Sequence, residues 1–200
     1  MFAFIIAFVV WALIHSLATA RPVKAWARRK MGARAYAGFY RLFYNIIAVL
    51  SFVPVLRALA RGVPFRTVWR WPRPFHWLAL FLELVGAVGV IVTLWQKQPL
   101  TFAGVRQVIR YLQGEADPDP PMPFVRSRVY ALVRHPLYFF SMLFLWFTPV
   151  LTLNRLLFNL LSSLYFWLGS RHEERRLQAA LGSAYERYCK EVPALLPFLR

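Results

Sequence analysis

The sequence predicts an all-α integral membrane protein: a bundle of about five transmembrane helices, the last two a short hairpin, followed by a cytoplasmic helix and tail. Three observations predict it. First, 59% of the 200 residues are hydrophobic, the mean hydropathy is +0.46, and the apolar residues fall in long uncharged runs. A soluble domain of this length has no interior large enough to hide them, whereas a bilayer does. Second, 25 Lys and Arg against 8 Asp and Glu give a net charge of +17, and the basic residues sit in short segments between the runs. That placement suits anionic lipid headgroups and argues against nucleic acid as a partner. Third, aromatic residues make up 18% of the chain, which suits rings that anchor helices at membrane interfaces.

The first span is Phe2–Ala20, with His15 as its one ionisable group. Ala18-Thr19-Ala20 resembles a cleavage site, but no Lys or Arg precedes the apolar run and a dense basic cluster follows it, so the run reads as a retained span. A basic loop comes next, from Arg21 to Arg34, carrying Lys24, Arg28, Arg29 and Lys30. The second span is roughly Tyr36–Leu59, with Arg41 near its start and Asn45 and Pro54 inside it. Arg57, Arg61, Arg66, Arg70 and Arg73 then crowd a short loop that also holds Trp69 and Trp71. The third span is Phe75–Trp95, interrupted by Glu83, and its Gly86 and Gly89 permit close approach of another helix. Ionisable groups inside spans face the bundle interior and pair. His15 and Glu83 are therefore expected to pair with each other or with Arg41, or else to line a substrate path.

Gln96–Val133 is the longest polar stretch. Phe102–Leu112 within it reads as a short amphipathic helix at headgroup level. The proline-rich run Glu115–Pro123 cannot be regular helix. Leu137–Leu153 and Leu156–Leu168 are apolar, with Asn154-Arg155 as the expected turn between them. Both fall short of the roughly 20 residues that cross a bilayer. The second arm is expected to continue as helix through Glu173-Glu174-Arg175-Arg176, because nothing but Gly169 breaks the pattern before Leu181. The chain is thus one domain in three parts: three N-terminal spans (1–95), a cytoplasmic connector (96–133), and a hairpin with its tail (134–200). The basic residues place the N-terminus outside and the first loop, the connector and the tail inside, against the arginines of the second loop.

The residues that could carry chemistry cluster late in the chain. Arg134 offers a planar fork of donors suited to a carboxylate or phosphate, and His135 can donate or accept. Pro136 suits the first turn of a helix, whose open N–H groups favour an anion. Glu173 and Glu174 offer carboxylates to a cation, and Tyr185 and Tyr188 share one helix face. Val192-Pro193 to Pro197 brings the chain back as an extended apolar strip. Each feature has a plainer reading: a snorkelling Arg-His pair, surface ion pairs between glutamates and arginines, and tyrosines packed on the membrane surface. Cys189 is the single cysteine, which excludes an internal disulfide and a zinc site built on several cysteines. No metal spacing, glycine-rich nucleotide loop or serine nucleophile elbow is present in the sequence.

Val133-Arg134-His135-Pro136-Leu137-Tyr138, a hairpin containing Asn154, Glu173-Glu174-x-x-Leu177, Gly182, Tyr185, Tyr188 and Val192-Pro193 together resemble the C-terminal half of the isoprenylcysteine carboxyl methyltransferase superfamily. The likeness covers about Tyr130 to Pro197. Upstream, His15-Ser16, Tyr40-Arg41-x-x-Tyr44-Asn45 and Phe102-Ala-Gly-Val-Arg106-Gln107 resemble bacterial relatives, among them methanethiol S-methyltransferases and NnrU-type membrane proteins. The resemblance implies an S-adenosylmethionine-dependent methyltransferase of the bacterial inner membrane, its site facing the cytoplasm. It implies a cofactor site of Tyr130, Arg134, His135, Pro136, Leu137, Tyr138, Glu173, Glu174, Tyr185 and Tyr188, with Arg134, Glu173 and Glu174 as the catalytic group. In that picture a glutamate holds the cofactor's ammonium and Arg134 its carboxylate. The implied acceptor is a small thiol or a lipophilic molecule. Isoprenylcysteine or lipid O- or N-methylation, or ligand binding without catalysis, are the alternatives. Relatives often carry Gly where this chain has Phe140, so a ring there is expected to narrow the way to the site.

Overall fold

The computed structural model describes residues 1–120, 126 and 128–197. The elements in chain order are α1 (Phe2–Thr19), α2 (Arg21–Met31), α3 (Ala33–Gly62), β1 (Thr67–Arg70), α4 (Arg73–Gln96), α5 (Pro99–Ala103), α6 (Val105–Leu112), α7 (Val129–Leu132), α8 (Pro136–Trp146), β2 (Val150–Thr152), α9 (Leu153–Leu181) and α10 (Ser183–Glu191). The all-α expectation holds apart from one short strand pair. Among the described residues, three helices, α1, α3 and α4, are long and apolar enough to cross a membrane. They match the three expected N-terminal spans. The chain divides into two compact units, Met1–Pro64 with Trp95–Pro123, and Phe65–Leu94 with Phe124–Arg200.

In the first unit α1 packs along α3. Polar groups fasten the pair: Trp11 Nε1 donates to the Ala48 carbonyl at 3.0 Å, and Tyr40 donates to the Ala18 carbonyl at 2.5 Å. His15 is hydrogen-bonded to the Tyr44 hydroxyl and stacks on Trp11. The expected charge pairing of His15 is therefore corrected. A tyrosine satisfies the imidazole without burying an ion, which is the less costly arrangement. Arg41 instead meets Asp119 at 3.3 Å. The basic segment after α1, expected as a loop, is the helix α2. Its Lys, Arg, Ala and Met are good helix formers, Pro22 sits in the first turn, and Gly32 ends it at a φ of +81°.

The amphipathic helix expected over Phe102–Leu112 is two helices, α5 and α6, broken at Gly104. There φ is +91°, and a Cβ would lie 2.4 Å from the Leu42 backbone nitrogen, so only glycine fits. Beyond α6 the chain is irregular over the described part of the proline-rich run; residues 121–123 of that run lie outside the described set. Asp119 pins this stretch by accepting from Arg41 and from Gln107 Nε2 at 2.9 Å.

In the second unit α8 lies against the small-residue face of α4. A Cβ on Gly86 would come within 2.4 Å of the Phe144 backbone nitrogen, and one on Gly89 within 2.1 Å of the Phe140 ring. The Phe140 ring thus fills a notch over Gly89 and is 8% exposed. The expected turn at Asn154-Arg155 is also corrected, because both residues lie in the first turn of α9. The chain reverses earlier. Pro149 bars continuation of α8, and β2 pairs antiparallel with β1 through Thr67–Thr152, Trp69–Leu151 and Arg70–Val150. Neither strand was expected, since both are short and their pairing is non-local. The hairpin of α8 and α9 is fastened by Asn159 Nδ2 to the Leu145 carbonyl at 2.7 Å and Trp146 Nε1 to Ser163 Oγ at 2.9 Å. As expected, α9 runs unbroken past Gly169, for 29 residues. It carries Glu173 and Glu174 beyond its apolar half.

Candidate active site

The late cluster assembles within the second unit. His135 is the residue before α8 and Pro136 is in its first turn, so the helix start is fixed by proline's preset backbone angle. The last turns of α9 bring Glu173 and Glu174 alongside. Arg134 donates to Glu174 Oε1 through Nε at 2.9 Å and through Nη2 at 2.6 Å. His135 Nε2 lies 3.3 Å from the same oxygen, and Nδ1 lies 3.4 Å from Glu173 Oε2. Each ring nitrogen therefore faces a carboxylate, which suits the protonated ring with its two donors.

The electrostatics agree with the geometry. The hydrogen bond from His135 draws the Glu174 carboxyl down to about 2, against the opposing effect of burial, and Arg134 adds to the fall. Burial pulls His135 down, but the hydrogen bonds and charges of Glu173 and Glu174 outweigh it and leave the pKa raised. The two glutamates differ in access: the Glu173 side chain is 42% exposed and that of Glu174 20%.

The tail closes one side of the cluster. Arg134 Nη1 donates to the Cys189 carbonyl at 3.0 Å and to the Val192 carbonyl at 2.7 Å. The backbone N–H groups of Arg134 and His135 donate to the carbonyls of Pro193 and Ala194 at 2.9 and 3.1 Å. Tyr185 and Tyr188 form a buried core with Val192, and Leu177, Leu181 and Cys189 pack on it. The Tyr188 hydroxyl donates to the Tyr130 carbonyl at 2.6 Å. Burial, then the charge of Glu173, pushes Tyr130 up to about 12, and burial pushes Tyr188 up to about 12 and raises Tyr185 as well. These phenols stay neutral at ordinary pH. They are not surface tyrosines on a bilayer, the plainer reading of the pair.

Tyr138 continues the cluster into the hairpin. Its ring stacks on His135 at 5.6 Å and on Phe166 at 5.2 Å. Leu137 is half-buried beside it and Pro136 is buried. The sequence-predicted residues thus gather around the start of α8. Sequence reasoning missed Phe166 and the tail carbonyls of Cys189, Val192, Pro193 and Ala194. A carbonyl leaves no mark in a sequence, and Pro193 was the one visible sign that the tail runs extended there.

A largely helical protein with three apolar helices of membrane-crossing length among its described residues, and with an Arg–His–Glu ion cluster at the foot of a shorter apolar hairpin in its second unit, has the features of an integral membrane protein that carries a polar site. The chain matches the family described as NnrU protein over residues 3–180, and it belongs to that family. It is 30% identical over 194 residues to the methanethiol S-methyltransferase of Crocosphaera subtropica, covering 95% of this chain and 72% of that one. It is 29% identical over 190 residues to the methanethiol S-methyltransferase of Mycobacterium tuberculosis, covering 94% and 75%. The enzyme of the same name from Pseudomonas deceptionensis is 28% identical over 192 residues, covering 96% and 70%. No solved structure matches the chain.

Proposed function

We propose that this protein is an integral membrane methyltransferase that moves a methyl group from S-adenosylmethionine to a small thiol. The observation that carries the reading is similarity to methanethiol S-methyltransferases over 94–96% of the chain, which takes in both the upstream motifs and the late cluster. The geometry supports it. A donor with an α-ammonium needs a reachable carboxylate, and Glu173 is the more open of the two. The half-buried Tyr130 offers a neutral phenol and a ring face, the buried Tyr185 and Tyr188 support the cluster from behind, and Pro136, Leu137 and Tyr138 form the apolar side toward the hairpin.

S-adenosylmethionine supplies a methyl already activated on a sulfonium sulfur. The protein's part is to align the acceptor sulfur with that carbon and exclude water, and positioning of this kind can contribute about 7–11 kcal/mol. The acceptor's lone pair forms the new S–CH3 bond as the old one breaks. The thiol proton departs to solvent, and the chain's positive charge favours the thiolate that reacts. Glu174, His135 and Arg134 hold one another and fix the frame. Methanethiol is the first acceptor to test. An isoprenylcysteine or lipid acceptor ranks below it, as does a role in ligand binding alone.

The same reading orients the molecule. The hairpin of α8 and α9 makes the fourth and fifth membrane segments, the N-terminus lies outside, and the late cluster faces the cytoplasm of a bacterial cell, where the methyl donor is made. The three N-terminal spans (1–95), connector (96–133) and hairpin with tail (134–200) act as one domain, and the basic segments contact anionic lipids. Calorimetry on the protein in lipid nanodiscs tests the premise. S-adenosylmethionine should bind at one site per chain, and Glu173→Gln should weaken it about ten- to a hundred-fold, the cost of one charge-assisted hydrogen bond. Absence of binding to the wild type would remove the methyltransferase reading.

A further inference from the structure

The resemblance assigns Arg134 to the cofactor's carboxylate, yet its guanidinium is already engaged by the protein. Nε and Nη2 donate to Glu174, and Nη1 donates to the carbonyls of Cys189 and Val192. A guanidinium has five N–H donors in a rigid fork. One edge of that fork meets α9 at Glu174, two turns before its end, and the other the end of α10. The backbone N–H groups of Arg134 and His135 then hold the carbonyls of Pro193 and Ala194. Three distant stretches of chain meet at one side chain.

We propose that Arg134 is a positioning residue: with Glu174 it closes a clasp that holds residues 192–195 as a strap along the start of α8. The cofactor binds the surface formed by the closed strap, so this inference rests on the methyltransferase reading. Without the guanidinium, the Cys189 and Val192 carbonyls lose their donor and Glu174 keeps His135 as its one cationic partner in the cluster. The loss at Val192 falls on the strap and the loss at Cys189 on the helix end that leads into it. Lysine is a poor substitute, because a compact ammonium cannot span a carboxylate on one side and two carbonyls on the other.

Cys189 gives a direct probe, since it is the chain's single cysteine, sits on α10 beside the strap and is half-buried. Its alkylation by N-ethylmaleimide is followed in nanodiscs without cofactor. Burial raises the Cys189 pKa, Arg134 lowers it and Glu174 raises it, so on charge alone removing Arg134 would slow the reaction and removing the Glu174 charge would speed it. Faster alkylation in Arg134→Ala therefore reports opening, and the Glu174→Gln rate is compared at a pH high enough to ionise the thiol in both proteins. The clasp predicts that Arg134→Ala speeds it about ten-fold or more, that Glu174→Gln does the same, and that the double variant is no faster than either. Arg134→Lys should stay fast, and Glu173→Gln should match the wild type while binding S-adenosylmethionine more weakly. Weakened cofactor binding in Arg134→Ala with Cys189 alkylation unchanged would make Arg134 a direct ligand and overturn the clasp, as would additive effects in the double variant. Should Arg134→Ala fail to fold, Arg134→Lys, which keeps a positive charge beside Cys189, decides the matter. If the wild type binds no cofactor, the methyltransferase reading falls, while the alkylation rates still test the clasp.

Discussion

Glu174 Oε1 accepts two hydrogen bonds from Arg134 and lies 3.3 Å from His135 Nε2, and that concentration makes the cluster sensitive to pH. The Glu174 pKa falls from 4.5 to about 2, so its stabilising contribution is complete above pH 4.5 and is lost as pH drops toward 2. The His135 pKa is raised, so its contribution is complete below the ordinary value of 6.5 and is lost as pH climbs through the higher folded value. The two act together between pH 4.5 and 6.5. Thermal unfolding of wild type and Glu174→Gln should therefore differ most in that window, the gap closing in acid and narrowing in mild alkali. A gap independent of pH would mean that the cluster is not ionised as described. The membership of this cluster was legible in the sequence, because Arg134 and His135 on one side and two of the chain's 8 acids, Glu173 and Glu174, on the other flank an apolar hairpin. The partner of Arg134 was not. Its acceptors are Glu174 and two main-chain carbonyls, and main-chain groups are the same at every position.

At the scale of elements, the close contact of α4 and α8 decides what Phe140 does. The ring was expected to narrow the path to the site, and one of its packing partners is the notch over Gly89. Gly89→Ala should destabilise the protein, because a methyl would overlap the ring and overpacking typically costs about 1–3 kcal/mol. The same change should be tolerated once Phe140→Ala has emptied the notch. Melting temperatures of the two single variants and the double variant measure this coupling. Simple additivity would show that the ring and the notch do not meet. Gly86→Ala should be harmful in either background, since a Cβ there meets the backbone of Phe144 rather than a side chain. The long helices α1, α3 and α4 could be read from their apolar runs to within a few residues. The helix α2 was hidden because its charge density suggests a loop, although its residues favour helix. The strands β1 and β2 were hidden because four- and three-residue segments carry no period long enough to see.

For the whole molecule, charge asymmetry and the reaction make linked demands. The proposed methyltransferase reading requires the tail on the cytoplasmic side, where the methyl donor is made. With Cys189 replaced, a cysteine at Ser183 should resist impermeant thiol reagents in intact cells, while one at Arg66 should label. Labelling at Ser183 from outside would reverse the orientation and separate the site from its donor. The central claim is methyl transfer to a small thiol, and it is tested most directly by incubating the purified protein in nanodiscs with methyl-labelled S-adenosylmethionine and methanethiol. The account predicts labelled dimethyl sulfide, formed in step with S-adenosylhomocysteine and greatly reduced in Glu173→Gln. Protein that binds the donor yet transfers no label to methanethiol or to any other small thiol would contradict it.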